Sequence, residues 1–164
     1  YYGIDLLNDA QGITDYTREV IGKILAEAAQ EGWSFDEIVR RLRTAPELSS
    51  MRARRIARTE TVTSANQAAM LYAQTSGNVM EKIWIAVRDQ RTRHDHLMVD
   101  GSRLPIAEPF SLSNRRVGIV QMMQPGVREQ PNGLAVPADE VVNCRCVVAF
   151  RAKRGPDGRL LSQE

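Results

Sequence analysis

Between Lys82 and Phe150 the chain is cut repeatedly by turn residues. Asp100-Gly101, Pro105, Pro109, Pro125-Gly126, Pro131-Asn132-Gly133 and Pro137 follow one another with short segments between them. No long helix or long strand can pass through such a stretch. The elements there must be short, and a small region with that many turns has a limited core. It needs help from a neighbouring helix, a satisfied polar network or a bound metal. Lys82 to Val87 (KIWIAV) is rich in Ile, Val and Trp and predicts a buried strand. Cys146 to Phe150 (CVVAF) predicts a closing strand, and Ala138 to Val142 a short helix or turn.

The residues before this stretch follow a helical period. From Thr14 to Gln30 the apolar positions Tyr16, Val20, Ile24, Leu25 and Ala28 fall on one stripe. Thr14 or Asp15 can cap its start, and Gly32 ends it. Ser34 caps a second, short helix, and Glu37 three residues later completes the spacing of a capping box. Pro46 marks a break. A third and longest helix is predicted from Leu48 to Thr75, stopped by Gly77 and Asn78. The fold class expected is therefore α+β: a helical N-terminal half with one long helix packed on a small, loop-rich, mixed or antiparallel β region. The expected division is a helical lead-in over 1–47, the main domain over 48–152 and a polar, flexible tail over 153–164.

Composition narrows the function. With 22 basic and 20 acidic residues the net charge is only +2, which argues against a surface built to coat nucleic acid. No apolar run is long enough to span a bilayer, and the start lacks the basic and apolar regions of a signal peptide. That start also lacks Met, so a fragment of a longer protein is expected. Cys144 and Cys146 are one residue apart, where a disulfide would be strained. Free or metal-bound thiols in a reducing compartment are expected.

Three groups of residues can carry chemistry. Cys144 and Cys146 with His94 and His96 supply the thiolates and imidazoles of a tetrahedral zinc site. If the His94–His96 segment is extended, both rings share a face. Structural zinc sites more often use C-x-x-C than C-x-C, and the bland alternative is two small buried cysteines beside a strand. The same residues suggest enzyme readings: a cysteine nucleophile with His96 as base, or a metal nuclease on His94, Asp95, His96 and Asp100. An enzyme would need an open cleft around His96 with spare carboxylates such as Asp89, Asp95 or Asp100. The third group is Arg52, Arg54, Arg55 and Arg58, four arginines within two helical turns. They could meet phosphates or an acidic partner, as a DNA-binding module would, or they could be a solvated helix face.

Taken in order, these pieces resemble the Mu F-like head-morphogenesis (minor capsid) family of tailed phages. The residues that carry the resemblance are Arg58-Thr59-Glu60, Lys82-Ile83-Trp84, the run Asp89 to His96 (DQRTRHDH), and Asp100-Gly101. Glu108-Pro109-Phe110, Pro125-Gly126 and Glu140 to Cys146 (EVVNCRC) complete it, so that it spans Met51 to Phe150. The resemblance implies a minor head component of a phage or prophage, present in few copies inside the procapsid near the portal. It would act in procapsid assembly and DNA packaging or delivery, in the host cytoplasm during assembly and then in the virion. Portal, capsid or scaffold proteins are the implied partners, with DNA a further one. An enzyme, as a nuclease or a transferase acting on NAD or a nucleotide, is the alternative. Some relatives carry C-x-x-C and an added His where this chain has Arg93, His96 and Val142, and that version resembles a zinc site. In this chain the resemblance implies a structural cluster of Arg91, Arg93, His96, Asp100, Asn143, Cys144, Arg145 and Cys146. His96, Cys144 and Cys146 face each other in it and form its metal-capable part, while Arg93 and Arg145 tie loops to carbonyls or carboxylates. His94 matches no fixed position.

Overall fold

The computed structural model describes residues 15–44 and 50–163. The chain forms two compact units that divide after Thr61, within the longest helix. The break expected at Pro46 and the boundary expected between 47 and 48 lie outside the described residues, as does the cap at Thr14.

The first unit holds α1 (Asp15–Glu31), α2 (Phe35–Leu42) and the first turns of α3 (Ser50–Thr75). Ile21 and Ala28 of α1 meet Ile38, Val39 and Leu42 of α2 and Ala53 and Ala57 of α3 in one core. The spacings follow the helical period, and the two alanines let the backbones approach closely. Gly32 ends α1 with φ 64°, and Trp33 N–H donates to Ala28 O at 3.1 Å. A side chain would resist that left-handed residue, which explains the glycine. Ser34 then caps α2, its Oγ accepting from Glu37 N–H at 3.3 Å.

The second unit holds the rest of α3 and two small antiparallel sheets. One sheet runs β2 (Arg103–Pro105), β1 (Met80–Ile85), β5 (Val147–Ala152), with β1 in the middle. The other pairs β3 (Phe110–Asn114) with β4 (Gly118–Met122). Two short helices, α4 (His94–Met98) and α5 (Ala138–Val141), sit in the connections. Alternation in the strands aims Trp84, Phe110, Leu112, Val120, Met122 and Val148 inward. With Ala86, Val136, Val141 and both cysteines, most of these make one core. The result is the α+β class read from the sequence.

Several local expectations are corrected. The first strand begins two residues earlier than Lys82 and stops before Val87, because Asp100 takes the Ala86 amide away from the ladder at 2.8 Å. The closing strand starts at Val147, so Cys144 and Cys146 stand in the loop before it. Asp100-Gly101 closes α4 and leads into β2, with Gly101 at φ 76°. Residues 153–163, expected to fray, carry bonds back to the sheet: Val79 N–H donates to Leu161 O, and Leu161 N–H to Lys153 O.

Asn66 joins α3 to the β region. Its buried amide donates to Pro125 O and Cys146 O, each at 3.0 Å, and its oxygen accepts from Val148 N–H at 3.0 Å. The helix thus fixes the loop before β5, where the cysteines lie. Beside it Gly126 (φ 85°) comes so close that a Cβ would lie 2.8 Å from Thr63 Oγ1 and 3.1 Å from Thr63 Cα. Only glycine allows both that backbone and that approach. Asn66→Ala would strand three buried backbone groups, each costing about 1–3 kcal/mol. A loss of at least about 3 kcal/mol is expected from urea unfolding midpoints. A loss below about 1 kcal/mol would mean that Asn66 does not connect helix and loop.

Candidate functional site: a buried histidine–cysteine–glutamate cluster

The segment after β1 turns into α4 instead of running extended, and this decides which histidine points inward. Two residues apart on a helix face opposite ways. His94 is therefore exposed, whereas His96 is 1% exposed. The expected sharing of a face by His94 and His96 is corrected on this ground.

His96 Nδ1 faces two sulfurs, Cys146 Sγ at 3.3 Å and Cys144 Sγ at 3.6 Å. On the other side Nε2 meets Glu140 Oε2 at 2.9 Å. Glu140 is 1% exposed and comes from α5. Its second oxygen accepts from the Asn114 side-chain amide at the end of β3. Asn114 Oδ1 in turn accepts from Arg116 N–H at 2.8 Å and Val117 N–H at 3.2 Å, which forms the β3–β4 turn. Trp84 packs edge-on against both His96 and Phe110, with ring centroids 5.3 Å apart in each case. One histidine thus ties α4, α5, β1, β3 and the cysteine loop together.

Charge in this cluster is set by the partners. Burial works against a charged ring, but the Cys144 and Glu140 partners outweigh it and raise the His96 pKa to about 9. Burial likewise opposes ionised Glu140, and hydrogen bonds from His96 and Asn114 overcome it, lowering the carboxyl to about 2. Nδ1 lies nearer Cys146, yet the negative charge settles on Cys144, lowered to about 4. Cys146 stabilises that thiolate first, through its thiol and its backbone N–H at 3.4 Å, and His96 adds to this. The same neighbour and burial push the Cys146 thiol up.

The remaining expected site residues take different places. Arg93 donates to Val142 O at 2.5 Å. Arg145 makes a two-pronged pair with Asp89 at 2.5 and 2.6 Å, and holds its carboxyl well below the usual range. Asn143 stands at φ 60°, the left-handed conformation that turns the chain from α5 to the cysteines and that asparagine tolerates. Asp100 serves the start of α4's return, accepting from Ala86 N–H and from Arg88 Nε at 2.6 Å, apart from the histidine. Arg91 has an exposed side chain, and its backbone N–H donates to Asp89 at 3.0 Å. In the first unit Arg54 and Arg55 are exposed, whereas Arg52 and Arg58 are half-buried.

Sequence reasoning missed Glu140, Asn114, Asn66 and Lys82 as polar core residues. Glu140 offered no clear local signal, since it stands beside Asp139 in a run that also carries Asn143 and Arg145. Lys82 is fully buried, with Nζ donating to Met123 O at 2.8 Å and lying 5.1 Å from the centre of the Phe110 ring. Burial lowers its pKa to about 8 against the pull of Glu108.

The sequence profile described as phage Mu protein F like protein matches residues 19–149. The chain belongs to this family. The match begins at residue 19, within α1, so it includes most of α1 and all of α2, which the resemblance over Met51 to Phe150 left out. One relative is the "NAD(+)--arginine ADP-ribosyltransferase EFV" of Enterococcus faecalis (strain ATCC 700802 / V583). It is 34% identical over 119 residues, 71% of this chain and 22% of that protein. Another is the "Minor head protein GP7" of Bacillus phage SPP1, 27% identical over 132 residues, 79% of this chain and 39% of that protein. The chain therefore spans well under half the length of either relative. No solved structure matches. Among the described residues no helix is long and apolar enough to cross a membrane.

The charges fix a pH profile for the metal-free chain. His96 has a raised pKa, so its contribution is present below 6.5 and lost as pH rises through about 9. Cys144 has a lowered pKa, so its contribution is present above 9 and lost as pH falls through about 4. Between 6.5 and 9 folding only moves one proton from thiol to ring, and the two slopes cancel. Glu140's contribution is present above 4.5 and lost as pH falls through about 2. Stability measured in chelator should be flat from 6.5 to about 8, rise above that as the lowered Lys82 pKa adds its own slope, and fall on the acid side. Glu140→Gln should flatten the limb below 4.5. A slope of about 1.4 kcal/mol per pH unit across the expected plateau would contradict the proton exchange.

Proposed function

We propose that this chain is the head-morphogenesis module of a phage or prophage minor head protein. It acts in procapsid assembly and in DNA packaging or delivery near the portal, within the procapsid and then the virion. Family membership over residues 19–149 carries the reading, and the relative named as a minor head protein supports its direction. The relative named as a transferase shares only 22% of its own length with this chain, which fits a module reused beside other domains.

The geometry supports a structural role for the cluster over a catalytic one. His96, Cys144 and Cys146 are 1%, 3% and 2% exposed. A cleft of about 510 Å³ opens beside Arg93, Asp95, Asn114, Arg116 and Glu140, but neither His96 nor the sulfurs line it. A substrate in that cleft would meet the back of Glu140, whose oxygens already hold His96 and Asn114. A nucleophile or base needs its reacting atom within about 3 Å of substrate. Portal, capsid or scaffold proteins are the partners of this reading.

Mass spectrometry of procapsids sedimented from cells producing the encoding phage tests this reading. The chain should be present at far lower abundance than the major capsid protein. A substitution that unfolds the second unit, such as Asn66→Ala with Gly126→Ala, should lower the yield of filled heads. Absence of the chain from procapsids and from filled heads would overturn the proposal.

A further inference from the structure

We propose that His96, Cys144 and Cys146 form a buried zinc site, with Glu140 orienting the histidine. This rests on the cluster's geometry and not on the head-assembly role. The three donor atoms all lie within 4.8 Å of one another. A tetrahedral ion with Zn–N near 2.0 Å and Zn–S near 2.3 Å would separate nitrogen from sulfur by about 3.5 Å. The observed 3.3 and 3.6 Å fall on either side of that edge.

Nδ1 can carry one proton, yet it faces two sulfurs at similar distances. A cation at the centre gives all three lone pairs one common target. The surroundings match what metal-bound imidazoles use. Nε2 sits on a carboxylate, which fixes the ring and raises its basicity, and that carboxylate is itself held by Asn114. Trp84 closes one side of the cluster, packing edge-on against His96 at 5.3 Å between ring centroids, with its buried Nε1 left without a hydrogen-bond partner.

The donor set selects the ion. Two thiolates and an imidazole favour zinc over magnesium or calcium, which seek oxygen. Binding displaces the Cys146 thiol proton and the proton on the imidazole Nδ1, whose lone pair then goes to the ion. Among the described residues no fourth His, Cys or carboxylate joins these three donors. The fourth position would go to water or another small ligand. The ion would bridge α4 to the loop before β5 at the centre of the small core. Metal-binding energy there becomes folding energy.

The test is metal content and cobalt spectroscopy on the untagged full chain. The expected result is about one zinc per chain by elemental analysis. Exchange for cobalt should give an intense thiolate-to-cobalt charge-transfer band and tetrahedral visible bands. Cys146→Ser and His96→Gln should abolish the stoichiometric zinc, and Glu140→Gln should weaken binding by about 10–100-fold. If the first two variants fail to fold, the wild-type cobalt spectrum decides. A folded wild-type chain without the charge-transfer band, or zinc that survives Cys146→Ser in folded protein, overturns the proposal. Neither result would touch the head-assembly reading, which stands or falls on procapsid content.

Discussion

The contact between His96 and Glu140 organises the second unit. Both side chains are almost completely buried, and an isolated charge of either sign in that core would be prohibitive. Each is tolerated because the other is present and because every remaining valence is met. Glu140 also holds Asn114, and His96 also holds the cysteine sulfurs. Removing one partner would leave an uncompensated buried charge, so the cluster behaves as a unit. Its members come from α4, α5, β3 and the loop before β5, so satisfying the cluster also sets the relative positions of those elements.

This explains how so many turns can be held by so few apolar residues. The second unit has two small sheets, each too small to be stable alone. The apolar core around Trp84 and Phe110 contributes the non-directional part. Direction comes from polar contacts reaching out of it. Lys82 pins the chain after β4 through Met123 O, Asn66 pins the same loop and the start of β5, and Arg93 and Arg145 fasten the loops at the rim. Each of these bonds joins residues far apart in sequence. A network of that kind specifies one arrangement, whereas apolar packing alone could settle into several.

The sequence made the α+β class, the three helices and the first and last strands legible, because helical and strand periods are local properties. The proximity of His96 to Cys144 and Cys146 could be anticipated only through the resemblance, since no local pattern links positions so far apart. Strand ends were misread where a side chain replaced a ladder partner, as Asp100 does at Ala86. His94 was misread because an extended period was assumed for a segment that Arg93 starts as a helix. Glu140 and Asn66 were missed for another reason. A polar residue in a short helix or on a long one looks solvated until its partners are known. Asn66 finds three of them, two in loops and one in β5, 59 to 82 residues away.

The central claim is that both cysteines belong to a closed, buried cluster that opens only when the unit unfolds. Thiol modification of the native chain by a small alkylating reagent measures this directly. The account predicts that Cys144 and Cys146 react together, at the rate of global unfolding measured independently by denaturant. Rapid modification of either thiol while the far-ultraviolet circular dichroism stays native would contradict it, and would place the cysteines at an accessible site instead of at the centre of the fold.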